Sequence, residues 1–259
     1  MTAVLPPPLT PGGQRPEGEP ADLHSAVVNR LGEDIVSGRL EAGAVLSSEQ
    51  LETRYGASRS VMREAIRVLE QLGMAASRRR VGVTIASREM WKVFDPLVIR
   101  WRLGSAERDN QLRSLSELRR GFEPVAAELA AQRATPDQCA TLTGAVMEMV
   151  RHGKAGDLRA YLAADVVFHS TLMKASGNEM IAALDGVVAE VLTGRTEHDL
   201  MPAQPRTEAI RLHADVATAV VSGDPEAARA AMEAIIAEAA QAIAMQLDLL
   251  PSTPTSTSS

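Results

Sequence analysis

The chain has few of the residues that mark secreted, membrane-bound or sheet-rich proteins. One cysteine in 259 residues excludes an internal disulfide and fits a reducing compartment. Aromatic residues make up 3%. Ala, Leu, Glu and Arg dominate instead, which favours helices over sheets. No uncharged apolar run reaches the ~20 residues that a membrane-spanning helix needs, and the N-terminus lacks the basic-then-apolar order of a secretory signal. The expectation is a cytoplasmic protein with no membrane partner. A hydrophobic content of 45% is enough for a large core, and the length suggests two domains.

A net charge of -6 argues against a uniformly sticky nucleic-acid binder, but the charge is unevenly placed. Between Ser58 and Arg88 stand seven arginines against two glutamates. The same region holds SSEQLETRYGASRSVMREAIRVLEQL, Ser47 to Leu72, which reads as two short helices broken at Tyr55-Gly56-Ala57. Ser58 stands where the second helix needs an N-cap, because its hydroxyl can accept from an unpaired backbone N–H of the first turn. Val61, Ala65, Leu69 and Leu72 recur at helical spacing and predict the buried face. Arg59, Ser60 and Arg63 fall on the other side. Arginine forks and hydroxyls at the start of a helix that follows a tight turn suit a DNA major groove.

In chain order, residues 1–20 are rich in Pro and Gly without apolar periodicity and predict a disordered tail. Leu23, Val27, Leu31 and Ile35 step by four and predict a helix ending near Ser37-Gly38. After the reader pair, MAASRRRVGVTIAS holds two short β-prone pieces around an arginine turn. Helix, reader pair and hairpin make a winged helix-turn-helix over 21–87, with Arg78, Arg79 and Arg80 at the wing tip near phosphate or the minor groove; the alternative for this triplet is a solvated charge run. Residues 88–108 hold both tryptophans in a stripe that Pro96 interrupts, and predict a connector packed between domains. From 109 to 249 the pattern is helical, and six antiparallel helices on short loops predict an all-α bundle. Residues 250–259 predict a second disordered tail.

Within the bundle, Asp165 and His169 lie one turn apart on one helix face. His213, on a later helix, is in register with Ile210, Ala217 and Val220. A lone inward histidine is usually a hydrogen-bonded core residue. One carboxylate and two imidazoles turned inward are also a familiar first shell for a divalent transition metal. An inward Arg119 can fork onto a ligand carboxylate; the alternative is a surface ion pair with Glu123 one turn on.

The order GEDIVSGRLEAGAVLSSEQLETRYGASRSVMREAIRVLEQLGM, with a glycine-containing wing, resembles the DNA-binding domain of GntR-type bacterial transcription regulators over residues 23–87. The resemblance implies DNA contacts at Ser58, Arg59, Ser60 and Arg63, with Gly82 approaching the DNA backbone and Arg79 beside it in the wing. ELRRGFEPVAAELAAQRAT, DVVFHSTLMKASGN and RLHADVATAVVSGD resemble the helical ligand-binding domain of the FadR branch, the FCD domain. Members with this Asp and His pattern bind a metal that in turn holds a carboxylate effector. Carried over, Asp165, His169 and His213 are the ligands of a zinc, manganese or nickel ion, and Arg119, Asn178 and Arg195 are effector contacts. Ile235 stands where many such domains supply a further histidine, for which His198, in the linker, is a candidate substitute. FDPLVIRW and the pattern Arg195, Thr196, Met201, Pro202 look nearest to regulators of sugar-acid operons such as galactonate or gluconate.

The expectation is a homodimeric repressor of operator DNA, released by a small carboxylate effector. The alternatives are the same regulator with a metal-free sensor for a hydroxy acid or fatty acyl group, or a metal-dependent enzyme. No nucleophile motif or independent general base supports the enzyme.

Overall fold

The computed structural model describes residues 20–198 and 205–249. Apart from Pro20, the expected tails lie outside these residues, as do Met201 and Pro202. The chain divides into two compact units between Val93 and Phe94.

In the first unit, α1 (Pro20–Val36) and α2 (Ser48–Tyr55) both pack on α3 (Arg59–Gln71). The buried row of α3 is Met62, Ala65, Ile66 and Leu69, while Val61 is only half-buried. Ala65, Leu69 and Leu72 lie inside as expected, but Met62 and Ile66 take the core positions rather than Val61. That rotation leaves Arg59, Ser60, Arg63 and Arg67 in solvent. The expected hairpin is present as β2 (Ala75–Arg78) and β3 (Gly82–Ile85), paired antiparallel with Ala75 opposite Ile85 and Arg78 opposite Gly82. A two-residue strand, β1 (Val45–Leu46), pairs with the other edge of β3, giving the order β1-β3-β2. Two residues carry no readable strand period, so β1 has no signal in the sequence.

The segment expected to be a connector is divided between the units. Lys92 N donates to Leu72 O at 2.9 Å, and Trp91 Nε1 donates to Ala86 O at 3.4 Å. These bonds fold residues up to 93 back onto the first unit. Gly73 makes this possible: its φ is 72°, and a Cβ there would stand 2.1 Å from Met90 O. Beyond the boundary, Pro96 starts α4 (Pro96–Leu103) rather than breaking a stripe. Asp95 Oδ1 caps that helix by accepting from Leu97 N at 3.0 Å, and proline is well suited to the first helical position. Val98, Ile99, Trp101 and Leu103 are buried.

The second unit continues through α5 (Arg108–Arg133), α6 (Pro136–Ala155), α7 (Leu158–Ala175), α8 (Glu179–Ala182), α9 (Asp185–Glu197), α10 (Thr207–Ser222) and α11 (Pro225–Leu249). The all-α bundle stands, with two more helices than expected. The connector supplies α4, and a turn at Ala183-Leu184, unmarked by proline or glycine, splits the expected helix from Met180. The helix α5 packs against α7, α10 and α11, and α6 against α7 and α10. Phe168, Leu172, Leu142, Val216, Met232 and Ile236 form one continuous apolar cluster among them.

One polar hub fixes the reader pair on α1. Arg39 Nε (2.6 Å), Arg54 Nη2 (3.1 Å) and the Tyr55 hydroxyl (2.6 Å) all donate to the Asp34 carboxylate. Burial alone would raise the Asp34 pKa, but these three donors outweigh it and hold the carboxyl below its ordinary 3.8. A folded pKa below the unfolded one contributes stability at neutral pH that is lost as pH falls through the folded value. Asp34→Ala is expected to cost the first unit about 1–3 kcal/mol in urea denaturation at pH 7. The difference from wild type should shrink in acid.

Candidate functional site

Local chemistry places the exposed reader. Ser47 and Gln50 form a capping box at the start of α2: Gln50 N donates to Ser47 Oγ at 3.1 Å, and Ser47 N donates to Gln50 Oε1 at 2.8 Å. The helix stops at Gly56, which is left-handed at φ 62°. Ser58 then caps α3, its Oγ accepting from Val61 N at 3.4 Å. Arg59, Ser60 and Arg63 stand in the first turns, exposed.

A groove of about 590 Å³ runs between α3 and the wing, lined by Arg59, Arg63 and Arg67 on one side and Arg78, Arg79 and Arg80 on the other. Glu70 faces it too, but its Oε1 accepts from Ser77 N at 2.6 Å and fastens the wing to α3. Arg80 is the one non-glycine residue with a left-handed backbone among the described residues, at φ 65°. Gly82 lines the groove, yet its glycine is demanded from within the fold. At φ 121°, a Cβ would lie 2.6 Å from Leu46 O across the sheet.

A second constellation lies inside the helical unit. Asp165 and His169 project from α7 and His213 from α10, all buried, with ligand atoms within 4.8 Å of one another. His169 Nε2 is 3.4 Å and His213 Nε2 is 3.2 Å from the same atom, Asp165 Oδ1. The far side of each ring faces an acceptor, in hydrogen-bonding geometry for His213 and as a charge contact for His169. His213 Nδ1 lies 2.6 Å from Ala209 O, an atom that only accepts. His169 Nδ1 lies 2.9 Å from the Glu123 carboxylate on α5. With protons on both Nδ1 atoms, two imidazole lone pairs face a carboxylate lone pair. Asp165 Oδ1, His213 Nε2 and His169 Nδ1 have no partner in hydrogen-bonding geometry among the described residues, so the approach of His169 Nδ1 to Glu123 is a charge contact. A cation or additional protons must therefore occupy the space between them. Ligand atoms about 2.1 Å from a tetrahedral zinc stand roughly 3.4 Å apart, so the donor set fits a divalent ion.

The surrounding charges are strongly coupled. Glu123 is held by Arg119, through Nε and through Nη2 at 3.1 Å. Burial would raise the Glu123 carboxyl, but Arg119 and His169 outweigh it and bring it down to about 2. Asp165 is likewise held well below the ordinary carboxylate range, since His169 and His213 outweigh its burial. Burial would lower His169, yet Glu123 and Asp165 raise it. Arg195 is lowered, first by burial and then by Arg119. Beside the cluster is a cavity of about 30 Å³, lined also by Arg119, Tyr161, Arg195, Arg206, Ile235 and Glu238. Arg206 Nη1 donates to Glu238 Oε1 across it at 3.4 Å.

With both sites in place, likeness to known proteins is informative. Residues 23–85 match the family described as bacterial regulatory proteins, gntR family, and residues 114–238 match the FCD domain. The chain belongs to the GntR family and carries an FCD domain. It is 28% identical over 166 residues to the galactonate operon transcriptional repressor of Escherichia coli, covering 64% of this chain and 72% of that one. It is 29% identical over 204 residues to the HTH-type transcriptional regulator LutR of Bacillus subtilis, covering 76% and 90%. In fold it is similar to Lar, which controls the expression of the Listeria monocytogenes agr system: TM-score 0.54, 20% identity, 86% of this chain and 97% of that one. These relatives are transcription regulators, and this GntR-family chain is a DNA-binding regulator, not an enzyme.

The FCD unit brings Asp165, His169, His213, Arg119 and Arg195 together and leaves Asn178 apart. Asn178 Oδ1 caps α8, accepting from Met180 N at 3.0 Å, and the residue does not line the cavity. The Arg119–Glu123 pair exists, but it is buried at 3% and 1% exposure rather than lying on the surface. Ile235 faces the cavity. His198 ends α9 and is not part of the Asp/His cluster among the described residues. Tyr161, Arg206 and Glu238 were not singled out from the sequence, and Glu123 was named there only as an ion-pair partner of Arg119. Only Glu123 had a signal there, its four-residue spacing from an inward arginine.

Gly82→Ala is expected to destabilise the winged unit by about 1–3 kcal/mol, because a left-handed backbone and a close carbonyl both oppose a Cβ. Thermal unfolding of this variant reads the loss directly.

Proposed function

We propose that the protein is a cytoplasmic homodimeric repressor whose operator binding is released by a small carboxylate effector, a sugar acid such as gluconate or galactonate. The observation that carries the sensor half is the convergence of Asp165, His169 and His213 on one point beside a cavity lined by arginines. These three residues would hold a divalent ion, zinc, manganese or nickel, which supplies Lewis-acid binding of a carboxylate. Arg195 is the arginine we assign to the effector, because Arg119 commits two of its three guanidinium nitrogens to Glu123. The galactonate operon repressor among the relatives supports both the sign of regulation and the effector class.

For the DNA half, Arg59 and Arg63 read base edges, Ser58 and Ser60 support them, and Arg79 meets phosphate across the groove. Gly82 serves by keeping the wing flat against β1. Effector entry is coupled to a change of shape, because ligand pockets run to about 300–1,000 Å³ and the cavity has about 30 Å³. A ligand that binds only an opened form shifts the population toward that form. A coupling of ~1–3 kcal/mol suffices to release DNA.

Fluorescence anisotropy on DNA from upstream of its own operon tests this. Wild type should bind at low salt, and gluconate or galactonate with Zn²⁺ should weaken binding; no binding at low salt overturns the proposal. Arg59→Ala and Arg63→Ala should each cost about 1–3 kcal/mol and relax base preference. Arg79→Ala should weaken all sequences alike and reduce the salt slope by about 1. For the sensor, His169→Ala should lose the metal that purified wild type carries; equal metal in both, or none, removes the assigned ligands.

A further inference from the structure

Glu123 is the most buried carboxylate among the described residues, at 1% exposure. A buried carboxylate is costly to keep unless each oxygen is well matched. Its two oxygens receive Arg119 Nε and Nη2, and Oε2 also stands 2.9 Å from His169 Nδ1. A pair that served only to join two turns of α5 would not need to lie against a histidine of α7. On the far side of that histidine, Nε2 faces Asp165 Oδ1. Arg119, Glu123, His169 and Asp165 thus stand in contact, one after another, from the cavity wall to Asp165 Oδ1. On α11, the apolar Ile235 lines the cavity and offers no donor.

We infer that Glu123, clamped by Arg119, is a positioning residue for the metal site: its buried charge, 2.9 Å from Nδ1, favours the His169 proton on that nitrogen and leaves Nε2 facing Asp165. The inference rests on the metal reading proposed above. Outer partners of this kind orient the ring and raise its basicity, and their loss commonly costs 10–100-fold in metal affinity. With three protein ligands rather than four, the alignment of each donor carries a larger share of the affinity. Glutamine in place of Glu123 keeps the size but removes the charge, and its amide must point an N–H at either Arg119 or His169, both donors there.

The test uses the full chain, with Co²⁺ and Zn²⁺ affinities from chelator competition and the visible absorption of the Co²⁺ form. Glu123→Gln is expected to lower affinity about 10–100-fold and to alter the Co²⁺ spectrum, with Glu123→Asp recovering part of both. A residue that only stabilised the bundle would lower the melting temperature without moving the Co²⁺ spectrum. If Glu123→Gln does not fold, Glu123→Asp decides: lower affinity in a folded protein supports the inference, and wild-type affinity overturns it. Wild-type affinity and spectrum in a folded Glu123→Gln overturn this inference alone. Failure of the wild type to take up either metal overturns it together with the metal reading.

Discussion

The helical unit is built around one costly arrangement: a carboxylate and two imidazoles converge at Asp165 Oδ1 in the interior of a bundle. Nothing in the packing of Phe168, Leu172 and Val216 requires this. Leucine at each position would fill the space and avoid the cost of desolvating charge. What surrounds the cluster reads as a response to it. Ala209 O and Glu123 take the outer ring nitrogens, and Arg119 neutralises Glu123. A buried polar set of this extent is consistent with a ligand that completes it, and it is hard to account for as stability alone.

In the first unit the governing constraint is the separation of charge from core along α3. Met62, Ala65, Ile66 and Leu69 are buried, while Arg59, Arg63 and Arg67 remain in water. Arg67 is partly neutralised by Glu64, at 2.9 Å and 3.1 Å, but Arg59 lies outside that pairing. The wing brings three further arginines to the opposite wall of the groove. A chain with an overall charge of -6 therefore presents one strongly basic face, and distribution rather than total sets its affinity for a polyanion.

The features legible in the sequence were those set by local chemistry. Ser58 had to cap because of its place after Gly56, and the Asp165/His169 spacing fixed a shared face. The hairpin followed from β-prone pieces around an arginine turn. What escaped was decided by tertiary contact. Strand β1 exists because β3 has an edge to pair with. Pro96 begins a helix because Asp95 stands before it, so of the aromatics that looked like a connector only Trp101 enters the buried face of α4, while Phe94 stays exposed. Asn178 reads equally well as a ligand contact or a cap until the start of α8 is known. Likewise, Arg-x3-Glu spacing on α5 looks the same on a surface as in a core, and only the packing of α7 against it makes Glu123 a neighbour of His169.

The proposed anionic effector matches the charges that the cavity would hold. A divalent ion among Asp165, His169 and His213 carries one more positive charge than the Asp165 carboxylate cancels. The pairs Arg119 with Glu123 and Arg206 with Glu238 are internally balanced. Arg195 lines the same cavity, where burial first and then the neighbouring cation Arg119 oppose its charge. An ion would add to that crowding, and a neutral ligand would not relieve it. A carboxylate placed between the ion and Arg195 relieves both at once. In the proposed scheme the metal and the anion would each favour the other's binding, and by linkage their joint presence would lower operator affinity.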